Sequence, residues 1–189
     1  MSAKHSQLRH LYDVNESTDA FVIQVLINQY TDIFNELDPA PLRRRDLNSS
    51  VVDYLDSCSS EIPLACDIEL SFVAPKEICD ADKETRVRLG LATWLGFTAS
   101  KAKTAISDSL KRAMQYVVTF ILLIIGSFAL RSAGLQGFVC ETLSEGILIG
   151  SWVFLWEAFA IIFFKLHKLV KQYRKIARIH NAQISFRYK

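Results

Sequence analysis

LSEGILIGSWVFLWEAFAIIFF, residues 143–164, carries no charge except at Glu145 and Glu157, and AMQYVVTFILLIIGSFAL, residues 113–130, carries none at all. A helix crossing a hydrocarbon core needs roughly 20 apolar residues, within a range of about 17–25. Both stretches meet that length, the 113–130 stretch near its short limit. Core helices of soluble proteins are usually shorter and amphipathic. Here Phe, Ile, Leu and Trp fall on every face, and the rest of the chain offers no body large enough to bury both helices. Two transmembrane helices are therefore expected.

The composition agrees. Of the 189 residues, 50% are apolar and 22% are charged, yet the mean hydropathy is positive at +0.17, so the two kinds are segregated along the chain. The opening MSAKHSQLRHLYDVNESTDA has no apolar centre and no cleavage-like ending, so no signal peptide is expected. Lys101, Lys103, Lys111 and Arg112 precede the first span, and Lys165, Lys168, Lys171, Arg174, Lys175 and Arg178 follow the second, whereas the connection holds only Arg131. Cytoplasmic flanks collect Lys and Arg, which places both termini in the cytoplasm and the connection outside.

That topology accounts for most of the basic residues, so the formal charge of +2 says little about partners. The basic helix below the second span reads as a contact to lipid headgroups through Lys165, Lys168 and Lys171, with Lys111 and Arg112 doing the same below the first. Nucleic acid is the less economical partner. Cys58, Cys66 and Cys79 fall on the cytoplasmic side, where thiols stay reduced, so no structural disulfide is expected among the four cysteines.

Outward from the spans, the cytoplasmic segment 76–112 carries Val87, Leu91, Trp94, Leu95, Ala102, Ile106 and Leu110 at spacings of three and four. No helix breaker separates it from the span at 113–131, which predicts one long helix, amphipathic first and then wholly apolar. The second span, 143–165, likewise continues into a basic helix over 166–181 with an apolar stripe from Leu166 to Ala177. Matching stripes predict an antiparallel pair of helices on the cytoplasmic side. Residues 132–142 are the external loop.

Alternation marks two strands. Leu64, Cys66, Ile68, Leu70 and Phe72 alternate with polar or small residues, and Ile184, Phe186 and Tyr188 do so in 182–189. Pairing the two would set Asp67 and Glu69 against Arg187 and Lys189, each match contributing about 0.2–1 kcal/mol. A two-stranded ribbon is marginal alone, so helices or another copy must complete it. The region 18–75 reads as helix, helix, strand. Val22, Val25, Leu26, Tyr30, Ile33 and Leu37 suggest a helix of about five turns before Pro39. Asp46 or Asn48 would cap a second, shorter helix ending near Ser57–Ser60. Residues 1–17 are polar and expected to be mobile. The fold class is thus a membrane α+β protein: a two-span helical hairpin, long cytoplasmic helical extensions, and a small cytoplasmic domain of helices and strands.

Candidate chemistry is sparse. No P-loop, G-x-G-x-x-G, G-x-S-x-G or H-E-x-x-H pattern occurs, and the cysteines and histidines are not spaced as metal ligands, so no enzyme activity, cofactor or metal is expected. The residues that stand out lie in the second span. Glu145 sits near its outer end, where Ser144 would cap the helix and Arg131 could pair with it. Glu157 lies about 12 Å above Lys165 at 1.5 Å per residue, too deep for a snorkelling lysine. It either hydrogen-bonds a neighbouring helix or faces a polar path between copies. Gly146 and Gly150 form a G-x-x-x-G that admits a close helix contact, and Trp152 and Trp156 read as packing residues on one face.

Arg45-Asp46-Leu47, Tyr54-Leu55 in a short helix, Glu61-Ile62-Pro63 before a strand, and LSEGILIGSW at 143–152 together resemble a group of small, functionally uncharacterised bacterial two-span proteins. Their second span reads L-x-E-G-L-x-I-x-G-W-V, followed by W-R-P-x-E. The likeness covers roughly residues 40–189, and Glu157-Ala158 stands where the group has Arg-Pro. It implies the two-span topology and a bacterial inner membrane, and no activity. The expected function is that of a non-enzymatic, homo-oligomeric membrane protein, in its sharpest form a pore-forming or membrane-perturbing effector of the kind found beside bacterial defence systems. The alternative is an anchor for a separately encoded cytoplasmic protein partner.

Overall fold

The computed structural model describes residues 8–132 and 138–189. The elements run β1 (Asp13–Val14), β2 (Phe21–Leu26), a 3-10 turn (Tyr30–Ile33), α1 (Ser49–Glu61), β3 (Ile68–Ala74), a second 3-10 turn (Lys76–Ile78), α2 (Ala81–Ser132), α3 (Phe138–Ala160), a π-helical segment (Ile161–Leu166), α4 (His167–Asn181) and β4 (Gln183–Tyr188). Two compact units result. One comprises the chain up to Lys101 together with Gln172–Lys189, and the other is Ala102–Lys171.

The first unit is built on a four-stranded sheet in the order β1-β2-β3-β4, with β1 antiparallel to β2 and the other pairs parallel. Phe21, Ile23, Leu70 and Phe72 lie fully buried on one face, among Val87 and Leu91 of α2, Leu55 of α1 and Ile179 of α4. Asn48 caps α1 by accepting from the Ser50 N–H. Gly90 lets the chain before α1 lie against α2, since a Cβ there would come within 2.4 Å of the Leu42 carbonyl.

Three expectations for this unit need correction. Residues 18–37 hold a strand and a 3-10 turn where one helix is expected. FVIQVL is aromatic and β-branched, and it is buried on both faces, at Val22 as well as at Phe21, Ile23 and Val25, so its apolar residues mimic helical spacing as well as alternation. Asp19 has φ 55°, which an aspartate tolerates as the turn into β2. The predicted partnership of β3 and β4 is present, but the charges do not meet. In the parallel register Glu69 faces Gln183, and Arg187 faces Val73. Glu69 instead accepts from the Asn15 amide and the Thr18 hydroxyl. Parallel pairing follows from where α4 ends: Arg178 reaches the Pro63 and Cys66 carbonyls just ahead of β3, so β4 starts beside the start of β3.

The expected mobile tail, 1–17, is ordered where described. Leu8 is buried, Tyr12 donates to Glu61 at 2.6 Å, and β1 joins the sheet. Residues 1–7 lie outside the described residues, as do 133–137 of the expected external loop.

The second unit contains the distal part of α2, α3 and the π-helical segment. As the sequence implies, α2 runs unbroken from Ala81 to Ser132. Both α2 and the helix from Phe138 to Asn181 are long and apolar enough to cross a membrane, and only 11% of each apolar window is buried. The buried positions are mostly small: Ser109, Ala113 and Ser127 on α2, Ser144, Ser151 and Ala158 on α3. The α3 positions recur every seven residues, the repeat of a helix-pair seam.

Candidate functional site

The seam of the hairpin is lined by serines, and one serine hydroxyl bonds across it. The Ser127 Oγ donates to the Ser144 carbonyl at 2.9 Å, the Ser144 Oγ to the Glu141 carbonyl at 2.9 Å, and the Ser151 Oγ to the Leu148 carbonyl at 2.6 Å. Arg131 Nε donates to the Ser144 Oγ at 3.2 Å. Ser144 is therefore no cap, because α3 begins at Phe138, and Arg131 engages Ser144 where Glu145 was the expected partner. Side chains that bond their own helix carbonyls leave the seam slim, so the two backbones approach closely.

Gly146 and Gly150 take no part in that approach. A Cβ on either would have nothing within 4 Å, so the G-x-x-x-G lies on an open face of the hairpin. Trp152 packs edge-on against Phe120 at 6.1 Å between ring centres, and Trp156 against Phe159 at 6.2 Å, but both remain largely exposed. Glu145 and Glu157 are exposed and make no hydrogen bond or ion pair among the described residues. Two acidic side chains thus stand on the outer surface of an apolar helix with no partner among the described residues.

The basic residues divide into two sets. Lys165, Lys168 and Lys171 are exposed, as are Arg112 and Lys111, the last pairing loosely with Asp108 at 3.8 Å. Lys175 and Arg178 serve the fold. Lys175 bonds Asp56 at 3.0 Å and Ser60 at 2.8 Å. The guanidinium of Arg178 donates to the carbonyls of Ser59, Ile62, Pro63 and Cys66 and to the Ser59 hydroxyl. It thereby closes the carbonyl end of α1, where a cation is favoured. Burial holds its pKa below the usual arginine value, against the opposing pull of Cys66 and Asp67.

Sequence reasoning did not anticipate a polar chain at the start of α2. The Asp80 N–H donates to the Tyr30 hydroxyl at 3.3 Å, the Tyr30 and Tyr188 hydroxyls lie 2.8 Å apart, and Tyr188 donates to Glu84. Glu84 is joined to Arg88 at 3.3 Å, which lies over the Phe186 ring and donates to the Ile184 carbonyl. Burial, then the bond to Glu84, raises the Tyr188 pKa, and burial and Glu61 raise that of Tyr12. The two tyrosines and the glutamate lie 158 and 104 residues apart in sequence, so no local pattern marks them. The arrangement fastens the chain's last strand to the first turns of α2. Among the described residues no three of His, Cys, Asp and Glu are grouped to hold a metal ion.

Comparison of the chain with protein-family profiles, with curated proteins and with solved structures finds no match.

Proposed function

We propose that the chain is a non-enzymatic, homo-oligomeric protein of a bacterial inner membrane that spans it twice, keeps both termini in the cytoplasm, and perturbs or perforates the bilayer under the control of its sheet domain. The observation that carries this reading is Glu157: an acidic side chain on the exposed face of an apolar helix, with no partner among the described residues. Ionisable groups at such depth are costly and belong at interfaces or along polar paths. Control is supported by α2, whose first turns are fastened to the sheet by Glu84 and Arg88 and which continues without a break into the apolar hairpin. The exposed Lys165, Lys168 and Lys171 suit lipid headgroups, and the dearth of Lys and Arg in the connection supports the orientation. The resemblance to bacterial two-span proteins favours the same topology, and the comparison with defence effectors is one of architecture.

The first experiment is the mass of the detergent-solubilised protein by light scattering, corrected for bound detergent, followed by ion conductance in planar bilayers. A discrete oligomer that conducts, and whose Glu157→Gln variant assembles without conducting, is the expected result; a monomer without conductance overturns the reading. Exposed Leu26 and Leu37, 78% and 90% accessible, favour a second reading, an anchor that holds a cytoplasmic partner at the bilayer. An anchor would tolerate Glu157→Gln and lose its partner on Leu26→Ser with Leu37→Ser.

A further inference from the structure

We infer that a second copy of this chain packs along the outer face of the hairpin, α3 of one copy against α2 of the next, with Glu157 of the first bonded to Gln115 of the second. The inference rests on the membrane-spanning, self-associating reading above and specifies the surface that would do it.

Among the polar side chains of the hairpin that make no hydrogen bond or ion pair among the described residues, two stand at one level. Glu157 on α3 and Gln115 on α2 are both exposed, and neither side chain makes a contact among the described residues that would satisfy it. Thr119, one turn from Gln115, is already served, its hydroxyl donating to the Gln115 carbonyl at 2.9 Å. About 4.5 Å above Arg112 at 1.5 Å per residue, at the inner edge of the hydrocarbon, water is scarce, so an unpaired amide or carboxyl gains from a protein partner. A glutamine amide offers two N–H donors and an accepting oxygen, which complement a carboxyl in either of its forms.

The two groups lie at the same level. Ser127 bonds Ser144, Phe120 meets Trp152, and Tyr116 meets Phe154 at 6.2 Å. Eleven residues back along α2 thus correspond to ten forward along α3. Continued past Tyr116, the pairing sets Gln115 within about 3 Å of the height of Glu157 at 1.5 Å per residue. It likewise sets Gly126 level with Gly146, and Leu122 with Gly150.

Those residues also share faces. At about 100° per residue, Gly146, Gly150, Val153 and Glu157 form one stripe of α3, and Gly126, Leu122, Thr119 and Gln115 one stripe of α2. Each stripe is turned about 120° from the seam marked by Ser144, Ser151 and Ala158 or by Ala113 and Ser127, and in an antiparallel pair both stripes fall on the same side of the hairpin. None of Gly126, Gly146 and Gly150 would bring a Cβ within 4 Å of anything. A second copy rotated about an axis along the bilayer normal keeps every residue at its own depth. Its α2 then meets α3 of the first copy with glycine against glycine and amide against carboxyl. A pairing of α3 with α3 would instead bring two Glu157 carboxyls together and leave Gln115 unsatisfied.

The test is disulfide cross-linking in native membranes between two differently tagged copies of the full chain, each with Cys140→Ala, one carrying Gln115→Cys and the other Glu157→Cys, the bond being located by peptide mass. A second pair, Gly126→Cys with Gly146→Cys, leaves the polar pair intact. Cross-links between positions 115 and 157 and between 126 and 146, each outnumbering those between like positions, are expected. Glu157→Leu or Gln115→Leu should weaken association about tenfold. Predominant 157–157 links would overturn the proposed face. So would the absence of links from both pairs in a chain whose solubilised mass is oligomeric, and self-association would then use another surface. A monomeric parent chain would overturn both this inference and the oligomeric reading on which it rests.

Discussion

The two units bury opposite kinds of residue. The sheet unit hides Phe21, Phe34, Phe72, Ile23 and Leu91, while the hairpin hides serines and alanines and leaves Phe163, Phe164, Val153 and Trp156 outside. In water the first arrangement is driven by removing large apolar surface. That force vanishes between helices bathed in lipid, and close approach through small residues takes its place. The contrast shows that one chain can follow two packing rules, and the second is the one that the proposed membrane placement of the hairpin calls for.

Variants can break or sharpen the contrast. The largest effect should come from Phe72→Ala, which empties a fully buried site and costs about 3–5 kcal/mol. Chemical denaturation of the detergent-solubilised chain should show it in the sheet unit, whereas Phe164→Ala, at a position 78% exposed, should leave that transition unmoved. Equal losses would mean that the units share one core. Arg178→Ala should cost about 3 kcal/mol, because it leaves the carbonyl end of α1 without a charged donor. Ser144→Leu should cost the hairpin about 1–3 kcal/mol by forcing the seam apart, read as slower migration or faster proteolysis of the spans with the sheet transition intact.

A pH effect comes next. With the folded-state pKa of Tyr12 and Tyr188 raised above the usual 10, their contribution is fully present below pH 10. It is lost as pH climbs beyond that, because the unfolded chain ionises first. Tyr12→Phe with Tyr188→Phe should flatten the alkaline fall in stability of the sheet unit; an unchanged slope would remove the tyrosines from it. The smallest effect belongs to Lys175→Ala. Its pair with the exposed Asp56 is worth about 0–1 kcal/mol, so a cost near that of Arg178→Ala would show that the two cations of α4 had been ranked wrongly.

The apolar hairpin was legible because length and the lack of charge are local properties, and the unbroken α2 because nothing between Asp80 and Ala113 interrupts a helix. The β3–β4 partnership was legible from alternation, but its register was not, since direction is set by where α4 delivers the chain. FVIQVL misled because a strand with apolar residues on both faces loses its two-residue period. Among the candidate site residues, the open exposure of Glu157 matches its isolation in sequence. The glycines drew attention that belonged, for the hairpin seam, to Ser144, Ser151 and Ala158, a seven-residue spacing that a search for glycine pairs passes over. The chain from Tyr30 through Tyr188 and Glu84 to Arg88 is assembled by tertiary structure alone.

The π-helical segment bears on how such a chain tolerates change in length. Continued at seven-residue steps, the seam of Ser144, Ser151 and Ala158 would next place Lys165 between the helices. The wider turn at Ile161–Leu166 holds one residue more, so that Lys165 stands exposed and Leu166 takes the inner position. The helix thus carries its own phase correction, an inserted residue kept as a working part. Deletion of Phe163 would let that wider turn relax to a regular α-helix with Leu166 still inward and the side chains beyond it in place, whereas the same deletion one or two turns earlier would rotate everything after it by about 100°, so the loss of a residue is absorbed at one place in the helix and not at its neighbours.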